Sequence, residues 1–274
     1  MDYISNLFGV KDKVAVLTGG GGVLAGEMAR GFLNAGAKVA LLDINEDTLK
    51  KKIVEYEKDD DELIGLKCNV LDEDNLKDVN KEILGKFGHI DILVNAAGGN
   101  MPGATIAPDQ TFFDLEIDQF KKVTDLNLIG TVLPTLVFCK TMADQKSGSI
   151  INVSSMAVAR AITRVVGYSA AKAAINNFTI WMAVEMARKF GDEIRVNAIA
   201  PGFLITGQNK ALLTNEDGSL TERGKTIIES TPFKRFGQPE ELVGAILWLS
   251  SNAARFVNGA VIPIDGGFSA FSGV

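Results

Sequence analysis

The sequence predicts an α/β chain, a doubly wound seven-stranded parallel sheet with helices on both faces. Seven short β-branched runs recur along it: VAVL, KVALL, LIGLK, IDILV, SIINV, RVNAI and AVIPI. Between them lie amphipathic stretches at 24–35, 46–57, 73–87, 118–143, 167–190 and 239–250. A glycine-rich turn follows the first run and opens the first of these long helices. Strand–helix alternation at this spacing implies right-handed crossovers, and hence a parallel sheet covered on both sides.

The bulk numbers bound the rest. With 274 residues, 46% hydrophobic and 23% charged, the chain suits one domain spanning 1–274 with a full core. No repeat, low-complexity tract or linker divides it. The longest irregular segment runs from Pro201 to Pro239, broken by a short helix near 221–230. Its length and mixed polarity mark it as a lid. A net charge of −6 without a basic run argues against nucleic acid as a partner. The N-terminus MDYISNLFGVKDK has no apolar signal core, and no segment approaches 18 uninterrupted apolar residues. No membrane and a cytoplasmic location are therefore expected. Cys68 and Cys139 read as buried free thiols. One histidine, His89, leaves too few soft ligands for zinc, so no metal is expected. His89 precedes the strand IDILVN, at the wrong end of the sheet for catalysis, and reads as structural.

Along the chain, Thr18-Gly19-Gly20-Gly21-Gly22 follows the first strand, with Val23 and Leu24 opening the helix. Glycines let the backbone approach a pyrophosphate, whose charge a helix N-terminus favours. Asp43 ends the second strand in VALLDIN. A carboxylate there accepts hydrogen bonds from the adenosine ribose and repels a 2′-phosphate. Neither Ile44, Asn45 nor the glycine turn offers a base to hold that phosphate, so NAD is expected rather than NADP. Asn69-Val70 and Asn95-Ala96-Ala97-Gly98 fall at the carboxyl ends of the third and fourth strands, the edge where such sheets bind ligands.

The chemistry is carried by Ser155, Tyr168 and Lys172, the first thirteen residues before the second. Tyr168 and Lys172 are four apart on a predicted helix and share a face. Lowering a tyrosine from pKa about 10 to about 7 needs roughly 4 kcal/mol. A cation about 4 Å away at an effective dielectric of about 20 supplies roughly that. Lys172, aided by an oxidised nicotinamide, is thus expected to bring Tyr168 near neutrality as a proton-transfer group for hydride chemistry.

Together these residues resemble the short-chain dehydrogenase/reductase family, of Rossmann type, over essentially the whole chain. The likeness rests on TGGGGVLAG, Asp43, NAAG at 95–98, Asn127 in LNLIG, Ser155, Tyr168, Lys172 and PGFLIT at 201–206. It implies that Tyr168 is the general acid/base, that Lys172 holds the ribose and lowers its pKa, and that Ser155 orients the carbonyl. It also implies that Asn127 keeps a water joining Lys172 to solvent. Pro201, Leu204 and Thr206 are placed beside the nicotinamide. One departure is visible: the family's TGxxxGxG has Val23 and Ala25 where its second and third glycines belong, and Gly22 and Gly26 are expected to compensate by a shifted turn.

A finer likeness is to the NAD-dependent fructuronate reductases, also called mannonate oxidoreductases, of bacterial hexuronate breakdown. It rests on TGGGGVL, AAGGN at 96–100, GQNKALLTNEDGSLTERG, TPFKRFGQPEEL and DGGFSAFSGV. The lid departs from that branch at Gly207 and Lys210, where a bulkier polar residue and an arginine are expected. The substrate implied is a sugar acid, its carboxylate held by Arg160, with Arg164 as second candidate, because an arginine fork grips a carboxylate twice. Asn100, Gln208 and Asn209 are placed around the hydroxyls. The rival enzymes are gluconate 5-dehydrogenase and 3-oxoacyl-carrier-protein reductase; the rival class is a non-catalytic NAD-sensing regulator, which the intact Asn127, Ser155, Tyr168 and Lys172 disfavour. Family likeness implies a homotetramer, with ELVGAILWLSS and AVIPIDGG in one interface.

Replacing Asp43 by Ser and Ile44 by Arg is expected to move cofactor preference toward NADPH. The ratio of kcat/KM for the two cofactors measures it; an unmodified enzyme that already uses NADPH as well as NADH overturns the role of Asp43.

Overall fold

Neighbouring residues of the first strand, β1 (Val14–Thr18), are buried on opposite faces of one sheet. The computed structural model describes residues 3–206 and 209–273. Six further strands complete the sheet: β2 (Lys38–Asp43), β3 (Leu63–Lys67), β4 (Ile92–Asn95), β5 (Gly148–Val153), β6 (Ile194–Pro201) and β7 (Val261–Ile264). Their order is β3-β2-β1-β4-β5-β6-β7, and every pair is parallel.

The helices are α1 (Tyr3–Phe8), α2 (Val23–Asn34), α3 (Glu46–Tyr56), α4 (Glu73–Phe87), α5 (Ile117–Thr124), α6 (Gly130–Gln145), α7 (Val166–Phe190), α8 (Lys210–Leu213), α9 (Glu222–Ser230) and α10 (Val243–Ser250). Ala15 and Leu17 pack with Met28 and Phe32 of α2, Leu49 of α3 and Ile246 of α10. Val14 and Val16 pack with Ile83 of α4, Phe138 and Met142 of α6, and Met186 of α7. Burial on both faces explains why the strands read as unbroken apolar runs. Winding reverses between β1 and β4, and the crevice above that point is where doubly wound sheets bind ligands.

The expected seven strands and six long helical stretches are all present. Two differ in detail. The stretch expected at 118–143 is one rod, Ile117–Gln145, in which a π turn at Asp125–Ile129 separates α5 from α6. That rod is long and apolar enough to cross a membrane, with a mean hydropathy of 1.4. Here its apolar residues instead cover the sheet, including Val137, Phe138 and Met142. The lid holds a second helix, α8, beside α9, and Leu213, Ile227 and Phe236 give it a small core of its own. His89 lies before β4, at the amino ends of the strands, with its Nε2 3.1 Å from Asp91. Asp91 in turn accepts from the Val14 amide at 2.8 Å. Cys68 and Cys139 are buried free thiols, and burial raises both pKa values, to about 12 and about 11.

A buried polar seam crosses the sheet near its carboxyl edge. Asn95 donates to Thr135 at 2.8 Å and to Asn152 at 2.9 Å, and Asn152 donates to Thr179 at 2.9 Å. The two hydroxyls return to helix carbonyls of Thr131 and Ile175. All four side chains are buried, so the seam locks β4 and β5 to α6 and α7 in one register. Asn152→Ala takes one hydrogen bond from each of two buried partners and leaves a small cavity, and is expected to destabilise by about 2–4 kcal/mol. Urea unfolding measures this, and a change under about 0.5 kcal/mol would show that the seam contributes little.

Candidate active site

Gly22 caps α2 with extended backbone and no side-chain cap, leaving the first helix amides directed at the crevice. Gly19 sits at φ +68, and a Cβ there would lie 2.9 Å from the Ala97 Cα. The turn is therefore pressed against the segment after β4, and Thr18 Oγ1 ties the two by accepting from the Ala96 and Ala97 amides at 3.0 Å each. The missing family glycines have a structural counterpart. The Gly26 amide donates to Gly22, and the Gly26 Cα is where the Tyr56 hydroxyl of α3 docks, donating to the Gly26 carbonyl at 2.8 Å.

Asp43 stands at the tip of β2. Its carboxylate accepts from the Gly21 amide at 3.0 Å and the Asn45 amide at 2.9 Å. It is thus fixed beside the glycine turn, where a ribose diol would lie. The β2–β3 register also sets the exposed Lys67 beside it, without an ion pair, a neighbour that sequence spacing did not reveal. Asn69 accepts from the Leu71 amide at 3.0 Å, and Val70 is buried against Gly130. Asn95 belongs to the buried seam, so its side chain positions the Ala96–Gly98 backbone and does not itself reach the crevice. The open glycine turn, the uncapped helix and the acid at β2 fit a dinucleotide with a free ribose 2′-hydroxyl.

The reacting groups assemble next to that crevice. Ser155 follows β5, where its hydroxyl accepts from the Ala157 amide at 3.2 Å and is the neighbour that lowers the Tyr168 phenol pKa. Lys172 is buried, with its Nζ donating to the Val153 carbonyl at 2.7 Å and lying 5.6 Å from the centre of the Tyr168 ring. The π turn presents Asn127, whose amide donates to the Gly99 and Val123 carbonyls at 2.8 Å and accepts from the Gly99 amide at 3.1 Å. Gly98, at φ +149, keeps the space between amide and ammonium open. A Cβ there would fall 2.6 Å from Asn127 Oδ1 and 3.6 Å from Lys172 Nζ.

The electrostatics differ from the expectation for Tyr168. Burial raises the phenol pKa above its ordinary value, and the Ser155 hydrogen bond is the group that lowers it. Lys172 does not dominate, because burial acts on it as well and brings it down to about 8. The ammonium donates to a carbonyl, and its Nζ lies over the Tyr168 ring, 5.6 Å from the ring centre. Ser155 is the neighbouring side chain that lowers the phenol pKa.

The residues expected around the substrate are dispersed. Arg160 is exposed and donates to the Ser269 and Phe271 carbonyls at 3.1 and 2.8 Å, so its fork holds the C-terminal segment. Arg164 donates through Nε to the Ile106 carbonyl at 2.8 Å. Asn100 donates to Thr105. Asn209 spends both ends of its amide inside the lid, on Leu204 O and Thr206 N at 2.8 Å each. Gln208, with Gly207, lies outside the described residues. Pro201 ends β6, and Leu204 is buried and bridged to Gly237. At the lid's far end Arg235 grips Glu241 with two bonds, at 2.7 and 2.6 Å, which holds Glu241 down at about 2.

Comparison with known proteins agrees with this geometry. The sequence profile of the family described as Enoyl-(Acyl carrier protein) reductase matches residues 22–269. An uncharacterised oxidoreductase, UxuB, of Bacillus subtilis is 44% identical over 271 residues, 96% of each chain. A 2-dehydro-3-deoxy-D-gluconate 5-dehydrogenase of Formosa agariphila is 35% identical over 269 residues, 98% of this chain and 97% of the relative. The crystal structure of a candidate D-mannonate oxidoreductase of Haemophilus influenzae with bound NAD superposes with a TM-score of 0.89 at 44% identity, over 97% of this chain and 98% of that one.

The lowered Lys172 pKa has a stability consequence. Below pH about 8 the folded chain carries a charged, desolvated ammonium; between about 8 and 10.5 the folded form loses its proton first and the penalty fades. Lys172→Met is therefore expected to abolish turnover while raising Tm at pH 7 by a few degrees. That gain should shrink toward pH 10, because the penalty removed, roughly 3 kcal/mol at neutrality, is offset only in part by the orphaned Val153 carbonyl. Thermal unfolding at pH 7 and pH 10 decides it; a variant less stable at pH 7 contradicts the assignment.

Proposed function

Because the chain belongs to the short-chain dehydrogenase/reductase family, we propose that it is an NAD(H)-dependent reductase interconverting D-fructuronate and D-mannonate. The observation that carries the reaction class is the Tyr168–Lys172 pair, the buried ammonium lying 5.6 Å from the centre of the Tyr168 ring with Ser155 as the neighbour that lowers the phenol pKa. The sugar-acid reading is supported by the NAD-bound D-mannonate oxidoreductase candidate at 44% identity and by a 35% identical relative named for a six-carbon sugar acid. Asp43, fixed at the tip of β2 beside the glycine turn, supports NAD over NADP.

When bound, the reduced nicotinamide supplies the hydride that reaches the carbonyl carbon. Ser155 holds the carbonyl oxygen through its hydroxyl. Tyr168 gives its phenolic proton to that oxygen, so the ketone becomes a secondary alcohol and a phenolate remains. The charge on Lys172 favours that phenolate, and the gap beside Gly98, between Lys172 and Asn127, is the inner route by which a proton returns. In the direction of oxidation each transfer reverses. Arg164 and Asn100 are the polar groups assigned to the substrate's distal end.

A homotetramer acting on the cytoplasmic NAD pool fits the surface. The edge strand β7 is only half covered, Phe256 is fully exposed, and Leu136, Ile180, Trp181 and Val184 are exposed on α6 and α7.

A panel of D-mannonate, D-gluconate and a 3-oxoacyl thioester, each with both nicotinamide cofactors, tests the reading. D-mannonate with NAD should give the highest kcat/KM. A preference for the thioester with NADPH would overturn it. Tyr168→Phe should lower kcat by about 100- to 10,000-fold while NADH still binds; a loss under tenfold excludes Tyr168 as the proton donor.

A further inference from the structure

After β7 the chain turns back over the carboxyl ends of β6 and β5, the next two strands of the sheet. The Asp265 carboxylate starts this turn by accepting from the Gly267 and Ser269 amides at 2.9 and 2.8 Å. The turn lies tight on the end of β6. There the Gly202 amide donates to the Ile264 carbonyl at 2.9 Å, and a Cβ on Gly202 would fall 2.6 Å from the Asp265 Cα. The Phe268 ring then meets Phe203 edge to face, with ring centres 5.3 Å apart. Beyond it Arg160, in the loop after β5, donates through Nε to the Ser269 carbonyl at 3.1 Å and through Nη2 to the Phe271 carbonyl at 2.8 Å.

What Arg160 fastens is the exit of the turn that Ser155 opens. Ser155 Oγ accepts from the Ala157 amide at 3.2 Å, and the Val158 amide returns to the Ser155 carbonyl at 3.2 Å. The Ala159 and Arg160 amides both return to the Met156 carbonyl, at 3.0 and 3.4 Å. A 3₁₀ turn has poorer hydrogen-bond geometry than an α-helix, so a turn this short depends on support from outside. Its entry has that support, because Met156 and Ala157 are buried. Its exit lies in the open: Ala159, Arg160 and Ala161 are exposed. The guanidinium ties that exposed exit to carbonyls 109 and 111 residues away.

We propose that the segment after β7 is a strap that holds Ser155 in place for the reaction, and that Arg160 is the positioning residue that fastens it. Arg160 acts through the turn it closes, five residues from the reacting hydroxyl. This role rests on the hydride-transfer chemistry proposed above and not on which sugar acid is the substrate. A misplacement of about 1 Å by a change far from the chemistry can cost roughly a hundredfold in rate. Ser155 is also the neighbour that lowers the Tyr168 phenol pKa, against the burial that raises it. Loosening the turn therefore has two signatures in the direction of oxidation. Turnover slows, and Tyr168 needs a higher pH to act as the base.

The test compares wild type, Arg160→Ala, Arg160→Lys, a chain ending at Gly267, and that shortened chain carrying Arg160→Ala, each with NAD and D-mannonate across pH. Arg160→Ala and the shortened chain should each lower kcat about ten- to hundredfold with little change in KM for NAD. Each should also move the rise of kcat to higher pH. Arg160→Lys should recover part of the loss. The combination should do no more than either change alone, because both break the same connection. Additive losses, or a lowered kcat with an unmoved pH profile, would overturn the strap. Hydrogen exchange of the 158–160 amides, read without substrate, separates this from failure of the substrate reading. Those amides should exchange faster in Arg160→Ala than in wild type. If they do while the wild type oxidises no sugar acid, the strap stands and the substrate reading falls. If they exchange as slowly as in wild type, the strap falls whatever the substrate.

Discussion

A buried ammonium with no carboxylate beside it is the constraint around which the active end of this molecule is arranged. Lys172 is held by the carbonyl of Val153 at the end of β5. A charge in that position is expensive, and burial brings its pKa to about 8. The site tolerates it because α7 is pinned elsewhere: Thr179 ends the Asn95–Asn152 seam, and Met186 and Ala183 pack into the core beneath β5 and β6. Stability contributed by those contacts supports a residue whose value is chemical.

The same logic governs the backbone around it. Asn127 reaches the Gly98–Gly99 turn only because a π turn interrupts the rod from Ile117 to Gln145 and shifts the helix locally. An uninterrupted α-helix would send that amide elsewhere. Gly98 is the complementary feature, since any Cβ there would meet the Asn127 oxygen. Helix irregularity and missing side chain are two halves of one opening beside Lys172.

Charge on the opposite wall is arranged differently. Each oxygen of Asp43 accepts one amide hydrogen bond, from Gly21 and from Asn45, so the carboxylate is held in place with acceptor capacity left for hydroxyls. One end of the crevice is therefore preset for hydroxyl groups. Arg164 spends its Nε on the Ile106 carbonyl. The lid keeps its own small core around Leu213, Ile227 and Phe236 and is clipped at its far end by Arg235 and Glu241.

Strand and helix order, the glycine turn, Asp43 and the Ser155–Tyr168–Lys172 set were legible in the sequence because each is a local pattern. Periodicity reports burial, a glycine run after a strand reports a tight turn, and residues four apart report one helix face. Tertiary structure decided the rest. It turned Asn95 into the core, gave Arg160 to the carbonyls of Ser269 and Phe271, closed Asn209 on its own turn, and set Lys67 beside Asp43. It also made burial, not Lys172, the chief influence on Tyr168. Hydrogen-bond partners far apart in sequence and the depth of a charge below the surface depend on how elements pack, and no local pattern of residues encodes them.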